Sequence, residues 1–225
     1  MIITQFEWGV LDQESNLENK MARITKGKHK LARRERYDLF PRLGDQSQTS
    51  KRLARRTAPG EHPMFPRYTQ YAIQFREKQK VKRIYGMLEK QFRRFFKEAS
   101  KREGETGLAL LQMLEMRLDS FLFAAGMAMT RNQARQLVGH GHVLVNGKKL
   151  SIPSYIVKVG DIVELKENIS KLAWYDEIKR INESYQAPGW ISKENTTKAK
   201  VGRKPDRDEI DPSINEQYIV EFYSK

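Results

Sequence analysis

Hydrophobic and polar residues alternate along residues 113–167 in a pattern that changes from helical to strand-like spacing. In the first part, apolar residues recur at intervals of three and four, at Leu114, Leu118, Phe121 and Leu122. This spacing predicts a helix with one apolar face. Thr130 and Gln133 have the spacing of a capping box, so a second helix is predicted to begin there. The inner side of that helix would consist of Ala134, Leu137 and Val138.

A hairpin and a closing strand are predicted after the second helix. Gly139 and Gly141 end the helix, and the apolar run at residues 143–145 leads into Asn146-Gly147. Asparagine followed by glycine is the strongest short hairpin signal, because both central positions of that turn need positive φ. The stretch is therefore predicted to form a small α/β unit, with two helices packed on a small antiparallel sheet.

The flanking segments are predicted to be mainly helical. Over residues 68–103 an apolar face repeats at helical spacing, and Gly86 is a point where the run breaks or kinks. A further helix is predicted at about residues 169–185. Residues 192–209 are polar and are expected to be loop-like. The tail at 214–225 alternates apolar and polar residues, which predicts a short strand or an extended strap.

These elements predict an α+β fold in which a discontinuous, mainly helical domain carries an inserted small α/β domain. The helical domain would comprise residues 68–107 plus 168–225, and the inserted domain residues 108–167. Residues 22–67 are basic and have little apolar periodicity, so we expect an extended segment that lies along an anionic partner. Residues 1–21 carry four acidic residues against one lysine, and we expect a dispensable, disordered extension or a wrongly assigned start.

The distribution of charge indicates the kind of partner. The chain of 225 residues carries 42 Lys plus Arg against 28 Asp plus Glu, a formal net charge of +14. Residues 21–104 hold 24 basic and eight acidic residues, so most of the excess lies in the N-terminal half. Such an excess is typical of proteins that bind nucleic acid. No apolar run approaches the ~18 residues needed to cross a membrane, so no membrane partner is expected.

No catalytic constellation is recognisable in the sequence. The absence of cysteine excludes disulfides, a thiol nucleophile and a Cys-based zinc site. His140 and His142 are only two residues apart and lack further ligands nearby, so neither metal nor cofactor is expected. Asp119 is expected to form an ordinary salt bridge. Trp174 and Trp190 are expected to be packing residues, with RNA stacking as the alternative.

Residues 113–167 resemble the S-four RNA-binding domain. The similarity lies in LEMRLD (114–119), TRNQARQLV (130–138), VNGKKL (145–150) and VGDIVEL (159–165). This domain also occurs as an appendage on RNA-modifying enzymes, which makes such an enzyme the alternative function. Those enzymes need a further catalytic domain, and the basic, helical or loop-like flanks of this chain contain no sheet-forming run that would hold an active site.

The flanks are themselves similar to the bacterial-type small-subunit ribosomal proteins of the S-four family. The matching segments are LARRERYDLF (31–40), APGEH (58–62), REKQKVKRIYGMLEKQFRRFFKEA (76–99), RKPDR (203–207) and INEQYIVEFYSK (214–225). Pro63 stands where the family usually has glycine, and the four-cysteine zinc knuckle of some members is missing. The resemblance implies a non-enzymatic constituent of the small ribosomal subunit, which binds a multi-helix junction of the rRNA early and nucleates assembly of the subunit body.

The resemblance also implies particular partners. It implies contact with neighbouring small-subunit proteins, especially the S-five protein, with which the family influences translational accuracy. The protein is expected in the cytoplasm, on the ribosome, and not as a homo-oligomer. The residues expected to contact RNA are Lys26, Lys28, Arg33, Arg34, Arg55, Arg56, Lys78, Lys80, Lys82, Arg83, Arg93, Arg94, Arg131, Arg135, His140, Lys148, Arg203 and Lys204.

Overall fold

The structure is a computed structural model, and it describes residues 27–44, 53, 57–61 and 67–224. The expected N-terminal extension lies outside these residues. So do three of the expected RNA contacts, Lys26, Arg55 and Arg56. No helix in the described part of the chain is long and apolar enough to cross a membrane.

Helices and one small sheet account for the described elements. The α-helices are α1 (Lys28–Glu35), α2 (Gln70–Ile84), α3 (Glu89–Ala99), α4 (Thr106–Glu115), α5 (Leu118–Ala124), α6 (Arg131–Gly139), α7 (Glu167–Ser170), α8 (Ala173–Ser184) and α9 (Glu216–Tyr223). The strands are β1 (Val143–Val145), β2 (Lys148–Lys149), β3 (Ile162–Leu165), β4 (Ile191–Asn195) and β5 (Lys198–Val201). A short 3₁₀ helix, Arg207–Glu209, precedes α9. This combination confirms the predicted α+β class.

One hydrophobic cluster joins α2, α3, α4 and α9 with residues 27–42, and we call this part the helical unit. Phe92 and Phe95 are buried in it, as their helical spacing predicts. Gly86, with φ of +61°, ends the first long helix and allows the turn into α3. The predicted break at this glycine is therefore confirmed.

The N-terminal segment folds onto the helical unit, so the expectation of an extended segment is wrong for its described part. Leu31 and Leu39 are buried in the helical cluster. The carboxylate of Glu35, at the end of α1, accepts a hydrogen bond from the guanidinium of Arg83 in α2. Burial and this ion pair give residues 27–42 their shape without a bound partner.

The C-terminal tail is helix α9, so the prediction of a strand or strap is wrong. The side chain of Asn215 caps the helix by accepting from the backbone N–H groups of Gln217 and Tyr218, at 3.1 and 3.4 Å. Ile219 is fully buried against the helical unit, and the ring of Tyr223 stacks on Phe96 with centroids 4.6 Å apart. Contacts at spacings of three and four, made only on folding, outweigh the local alternation.

The second hydrophobic cluster builds what we call the sheet unit, residues 116–201. Its five antiparallel strands have the order β2-β1-β3-β5-β4. Val163 on the central strand pairs with Val145 on one side and Ala199 on the other. Asn146 and Gly147 have φ of 50° and 75°, which is the geometry of the predicted hairpin turn.

Strands β4 and β5 occupy a segment that was expected to be loop-like. Only Ile191, Ala199 and Val201 are buried in this hairpin, and the intervening residues are polar and partly exposed. A hairpin at the edge of a sheet needs few apolar residues, because backbone pairing with β3 supplies much of its stabilisation. The expectation of a loop, which was based on polar composition, is therefore wrong for these two strands.

The boundary between the two units also differs from the expected one. Helix α4 packs in the helical unit, and α8 with both strands of the last hairpin packs in the sheet unit. The chain enters the sheet unit after Glu115 and leaves it after Val201, not at residues 108 and 167. The apolar stripe of α8, Tyr175 and Ile178, faces the sheet cluster, and only this packing decides its membership.

Arg117 interrupts the single helix that was predicted through Leu114 and Phe121. Its backbone is extended, with ψ of 142°, and it forms an isolated antiparallel bridge with Ile156. Its guanidinium donates to both carboxylate oxygens of Asp119, at 3.0 and 2.7 Å. The predicted salt bridge of Asp119 is thus confirmed, and it lies buried where the two units meet.

Candidate nucleic-acid interface

Helix α6 carries two of the expected RNA contacts, Arg131 and Arg135. The side chain of Thr130 accepts from the backbone N–H of Gln133 at 3.2 Å, as the capping-box prediction requires. The Gln133 side chain accepts in turn from the backbone N–H of Met129, at 2.8 Å, and not from Thr130. This cap starts the helix at Arg131 and aims Arg131 and Arg135 toward the helical unit.

Arg131 contacts three side chains from other elements. Its guanidinium lies 3.4 Å from the carboxylate of Glu115 and over the rings of Tyr85 and Phe123, 5.0 and 4.7 Å from their centroids. Arg135 donates to the backbone carbonyl of Gly86 at 2.9 Å. Both arginines, which are expected RNA contacts, therefore also join the sheet unit to the helical unit.

A buried hydrogen bond fixes the position of the Glu115 carboxylate that Arg131 faces. The hydroxyl of Tyr85 donates to the carboxylate of Glu115 at 2.5 Å, and both residues are buried. Burial, with the nearby Glu115 charge, raises the pKa of Tyr85 well above its ordinary value. The phenol stays protonated at neutral pH, so it remains a donor to the carboxylate that also faces Arg131.

A narrow cleft of about 40 Å³ opens between the N-terminal segment, the turn after α2 and helix α6. Four of the expected RNA contacts line it: Lys28, Arg83, Arg131 and Arg135. Residues distant in sequence by more than one hundred positions thus meet at one place. An anionic group that enters this cleft would find cations from three elements around it.

Other expected contacts lie on the open surface. The exposed members of the set are Lys28, Arg34, Arg93, Arg94, His140, Lys148, Arg203 and Lys204. Arg203 is shared with two carboxylates, Asp206 at 2.6 Å and Glu209 at 2.8 Å, but its side chain remains about half exposed. These cations lie on both units, so a polyanion could be contacted from more than one direction.

Lys78 is a structural residue in this fold. It is only 4% exposed, and its ammonium lies 2.8 Å from Glu89 and 4.5 Å from the centroid of the Phe222 ring. Burial alone would raise the pKa of Glu89, but hydrogen bonds from Lys78, Lys82 and Tyr223 lower it to about 2. The ammonium of Lys78 is thus held inside the protein, away from a surface ligand.

Two further expected contacts have internal partners as well. Lys80 pairs with Glu77 at 2.9 Å, and its ammonium also donates to the backbone carbonyl of Ser213 at 2.5 Å. Arg33 donates to the backbone carbonyls of Thr57 and Ala58, at 3.3 and 3.2 Å. Part of the positive charge of the N-terminal half therefore forms bonds within the fold. The number of cationic side chains open to a ligand is smaller than the net charge suggests.

The partners that position the arginines of α6 could not be found from the sequence. Tyr85 directly follows α2 and Glu115 ends α4, and no local pattern links them to Arg131. Among the described residues, no group of three or more His, Asp or Glu side chains is arranged to hold a metal ion. The groups that these residues present to a ligand are therefore cations and hydrogen-bond donors.

Comparison with known families shows the class of protein that this arrangement defines. The model of the S4 (S-four) domain matches residues 116–163, within the sheet unit, and the model described as "Ribosomal protein S4/S9 N-terminal domain" matches residues 23–115. Their junction at residue 115 coincides with the point where the chain enters the sheet unit. The chain is thus an S-four-domain protein of the ribosomal type.

Full-length relatives give the particular family. A "Small ribosomal subunit protein uS4" of Neisseria meningitidis serogroup B is 46% identical over 207 residues, and one of Laribacter hongkongensis is 46% identical over 208. A third, of Herpetosiphon aurantiacus, is 46% identical over 214 residues. Each alignment covers 91% of this chain and 100% of the relative. The chain belongs to the uS4 family of small ribosomal subunit proteins, and nothing supports the alternative of an RNA-modifying enzyme.

Proposed function

We propose that this protein is a structural constituent of the small ribosomal subunit that binds small-subunit rRNA directly. The observation that carries the proposal is the match of both units to full-length relatives named as small-subunit proteins. The exposed cations on both units and the cationic cleft at α6 supply the means of binding. No catalytic step is part of this function.

The geometry favours recognition of folded RNA by shape. Lysine and arginine side chains neutralise phosphates, and this contribution to affinity is independent of sequence. Double-stranded RNA has a deep, narrow major groove that side chains cannot enter, so proteins contact its phosphates and 2′-hydroxyls. Two units joined through Arg131 and Arg135 would present their cations at a set spacing, which suits a junction where several RNA helices converge.

The finer parts of the proposal follow the family resemblance. We propose that the RNA target is a multi-helix junction in the 5′ domain of the small-subunit rRNA and that binding nucleates assembly of the subunit body. A neighbouring S-five protein would contact the bound chain and share its influence on translational accuracy. The protein would act as a single copy on ribosomes of the cytoplasm.

The proposed RNA contacts comprise the exposed residues, the cleft residues and three partly buried residues, Arg33, Lys80 and Lys82. They are Lys28, Arg33, Arg34, Lys80, Lys82, Arg83, Arg93, Arg94, Arg131, Arg135, His140, Lys148, Arg203 and Lys204, with Lys26, Arg55 and Arg56 outside the described residues. Lys78 is left out of this set because its ammonium is buried against Glu89. We expect the exposed members to make the strongest contacts with RNA. The side chains of the other members have partners inside the protein and must release or share them to bind RNA.

Filter binding of the full chain to a 5′-domain fragment of small-subunit rRNA tests the proposal. If about eight phosphates are neutralised, log K should fall with log salt with a slope of roughly −6 to −7. The double substitution Arg93→Ala with Arg94→Ala should reduce that slope by about two. Lys179→Ala is the matched control, because this lysine lies outside the proposed set and its side chain is 42% exposed, and it should leave the slope unchanged.

A footprint on the same fragment locates the contacts. Protection from hydroxyl radicals is expected at strands of several helices that meet at one junction, as shape recognition requires. A nearly flat salt response, or protection confined to one isolated helix, would contradict the proposed function.

A further inference from the structure

We propose that a second groove, beside helix α6, binds a single unpaired nucleobase of the RNA, stacked on Trp174. This inference rests on the proposed function and adds a base-contacting site to it. The groove lies between α6 and the segment from α7 to the start of α8, and its volume is about 250 Å³. Gln133, Gln136, His140, Leu172 and Trp174 are among the residues that line it.

The aromatic floor of this groove is open to solvent. Trp174 is 40% exposed, although it was expected to be a packing residue, and Leu172 beside it is 42% exposed. Trp190, the other tryptophan in the described part of the chain, is buried against Phe121. A large aromatic ring left at the surface beside a cavity provides a face on which a planar group can stack.

Trp174 is held in place by a rigid neighbour. Its ring meets that of Tyr175 edge to face, with centroids 5.7 Å apart and an interplanar angle of 83°. Tyr175 is fully buried, and its hydroxyl donates to the backbone carbonyl of Thr196 at 2.7 Å. The first turn of α8 is therefore anchored to the sheet, so stacking on Trp174 would require little ordering of the protein.

The size and polarity of the groove suit one base. An engineered protein cavity of about 150 Å³ accommodates benzene, so about 250 Å³ leaves room for a heterocyclic ring. Gln133 and Gln136 contribute primary amides, which carry both donors and acceptors and can bond the edge of a base. The exposed imidazole of His140 adds a further polar group at the rim.

Positive charge lies next to the groove, where the phosphate of the bound nucleotide would be. The rings of His140 and His142 lie side by side, with centroids 6.0 Å apart. Burial lowers the pKa of His142, and the charges of His140, Lys166 and Lys149 lower it further. The stem of Lys149 crosses Gly141 so closely that an added Cβ would lie 2.2 Å from its Cε. With φ of +69° as well, the glycine lets the lysine lie across the turn.

The surroundings favour RNA as the occupant over an apolar protein segment. Amides and imidazoles form one wall, and lysines lie beside it, which is the combination found where single-stranded nucleic acid binds. Helix α6 also lines the cationic cleft, through Asn132 and its two arginines, on the side away from this groove. A strand that follows the exposed ridge of α6 would thus be contacted on both sides of the helix.

The test compares two substitutions of Trp174 in the full chain, with the 5′-domain rRNA fragment as the probe. Trp174→Phe keeps an aromatic face, whereas Trp174→Leu keeps only apolar bulk. We expect the leucine variant to bind roughly 5- to 150-fold more weakly, the range measured for loss of one base stack, and the phenylalanine variant to stay near wild type. Tyr71→Leu, at an exposed aromatic residue of the helical unit, is the matched control and should change nothing.

Chemical modification of the bases, with dimethyl sulfate, gives a second readout. One unpaired adenine or cytosine should be protected by the wild type and by Trp174→Phe, and reactive again with Trp174→Leu. Gln136→Ala, at an exposed position of the groove, should lower affinity roughly 2- to 10-fold through a lost hydrogen bond. It reports on the groove even if the leucine variant fails to fold.

The outcomes separate this inference from the proposed function. If the wild-type chain binds the fragment with a flat salt response, the proposed function is contradicted. If the wild type binds steeply with salt but both Trp174 variants and Gln136→Ala match it at every base, the base-binding groove is refuted. The groove would also be refuted if Trp174→Leu bound the RNA like wild type but no longer bound a neighbouring ribosomal protein. The same holds if the variant lost only self-association, measured by ultracentrifugation.

Discussion

Replacing Asp119 by asparagine should destabilise the protein by about 3–5 kcal/mol, because it leaves the buried charge of Arg117 without its counter-ion. Arg117 is 0% exposed and Asp119 is 4% exposed. Two of the three guanidinium nitrogens of Arg117 bond to this carboxylate, and the third, Nη1, has no hydrogen-bond partner among the described residues. The centroid of the Phe95 ring lies 5.7 Å from the guanidinium carbon and gives a further favourable contact.

The magnitude follows from burial. An exposed ion pair contributes at most about 1 kcal/mol, because water solvates either partner when the other is removed. Water does not reach Arg117, so its desolvation penalty remains when the carboxylate becomes an amide. For a chain of this length the expected loss corresponds to a melting temperature lower by roughly 6–20 °C.

Urea unfolding, followed by both tryptophan fluorescence and far-UV circular dichroism, measures the effect. Asp176→Asn is the matched control, since Asp176 pairs with Lys179 at 2.8 Å on the open surface and should leave the midpoint unchanged. A double-mutant cycle with Arg117→Met isolates the pair. Its two changes should be strongly non-additive, because the second removes a charge that the first has already left unpaired.

Two results would refute this reasoning. Asp119→Asn with an unfolding midpoint equal to that of Asp176→Asn would mean that the buried pair contributes little. Additivity of the two changes within about 0.5 kcal/mol would mean that the loss comes from something other than the pair, such as the bond from the Ser120 N–H to Asp119 at 3.0 Å.

Three further predictions follow from the packing and the charges. Because the folded-state pKa of Glu89 is lowered to about 2, the ionised carboxylate stabilises the fold fully above its unfolded pKa of about 4.3. This stabilisation is lost as pH falls toward 2, so the urea midpoints of wild type and Glu89→Gln should converge over that range. A constant difference between the two midpoints would contradict the shift. Leu118→Ala should cost about 2–5 kcal/mol by opening a cavity in the sheet unit, with RNA affinity retained below the melting temperature; an unchanged midpoint would show that the site collapses. Arg131→Ala should both reduce the salt slope of rRNA binding by about one and destabilise the fold by about 1–3 kcal/mol, because the buried Glu115 loses one of its two partners among the described residues. A variant with full stability would show that the contact between the units is unimportant.

Short-range signals were sufficient wherever one element controls its own geometry. The cap at Thr130, the break at Gly86, the hairpin at Asn146-Gly147 and the apolar faces of the helices all depend on residues within a few positions of each other. The resemblance of the two segments to the S-four family was likewise carried by contiguous motifs, and the family matches confirm it.

Local patterns failed where tertiary contacts outweigh them. The tail alternates like a strand, yet Ile219 and Tyr223 make it a helix by packing on the helical unit. The hairpin β4–β5 has the polar composition of a loop. It forms the edge of the sheet because β5 pairs with β3. In both cases long-range burial or backbone pairing contributes more than local propensity.

The charge count of the sequence determined the class of partner, and the tertiary structure decided which charges can meet it. A sum over Lys and Arg cannot distinguish Lys78, buried between Glu89 and aromatic rings, from Arg93 on the open surface. It cannot show that Arg131 faces Glu115 across the junction of two units, or that Trp174 floors a groove while Trp190 is buried. Those distinctions depend on distance and burial between residues far apart in the chain, because water access sets the free energy of a charge or an aromatic face, and only the folded chain determines that access.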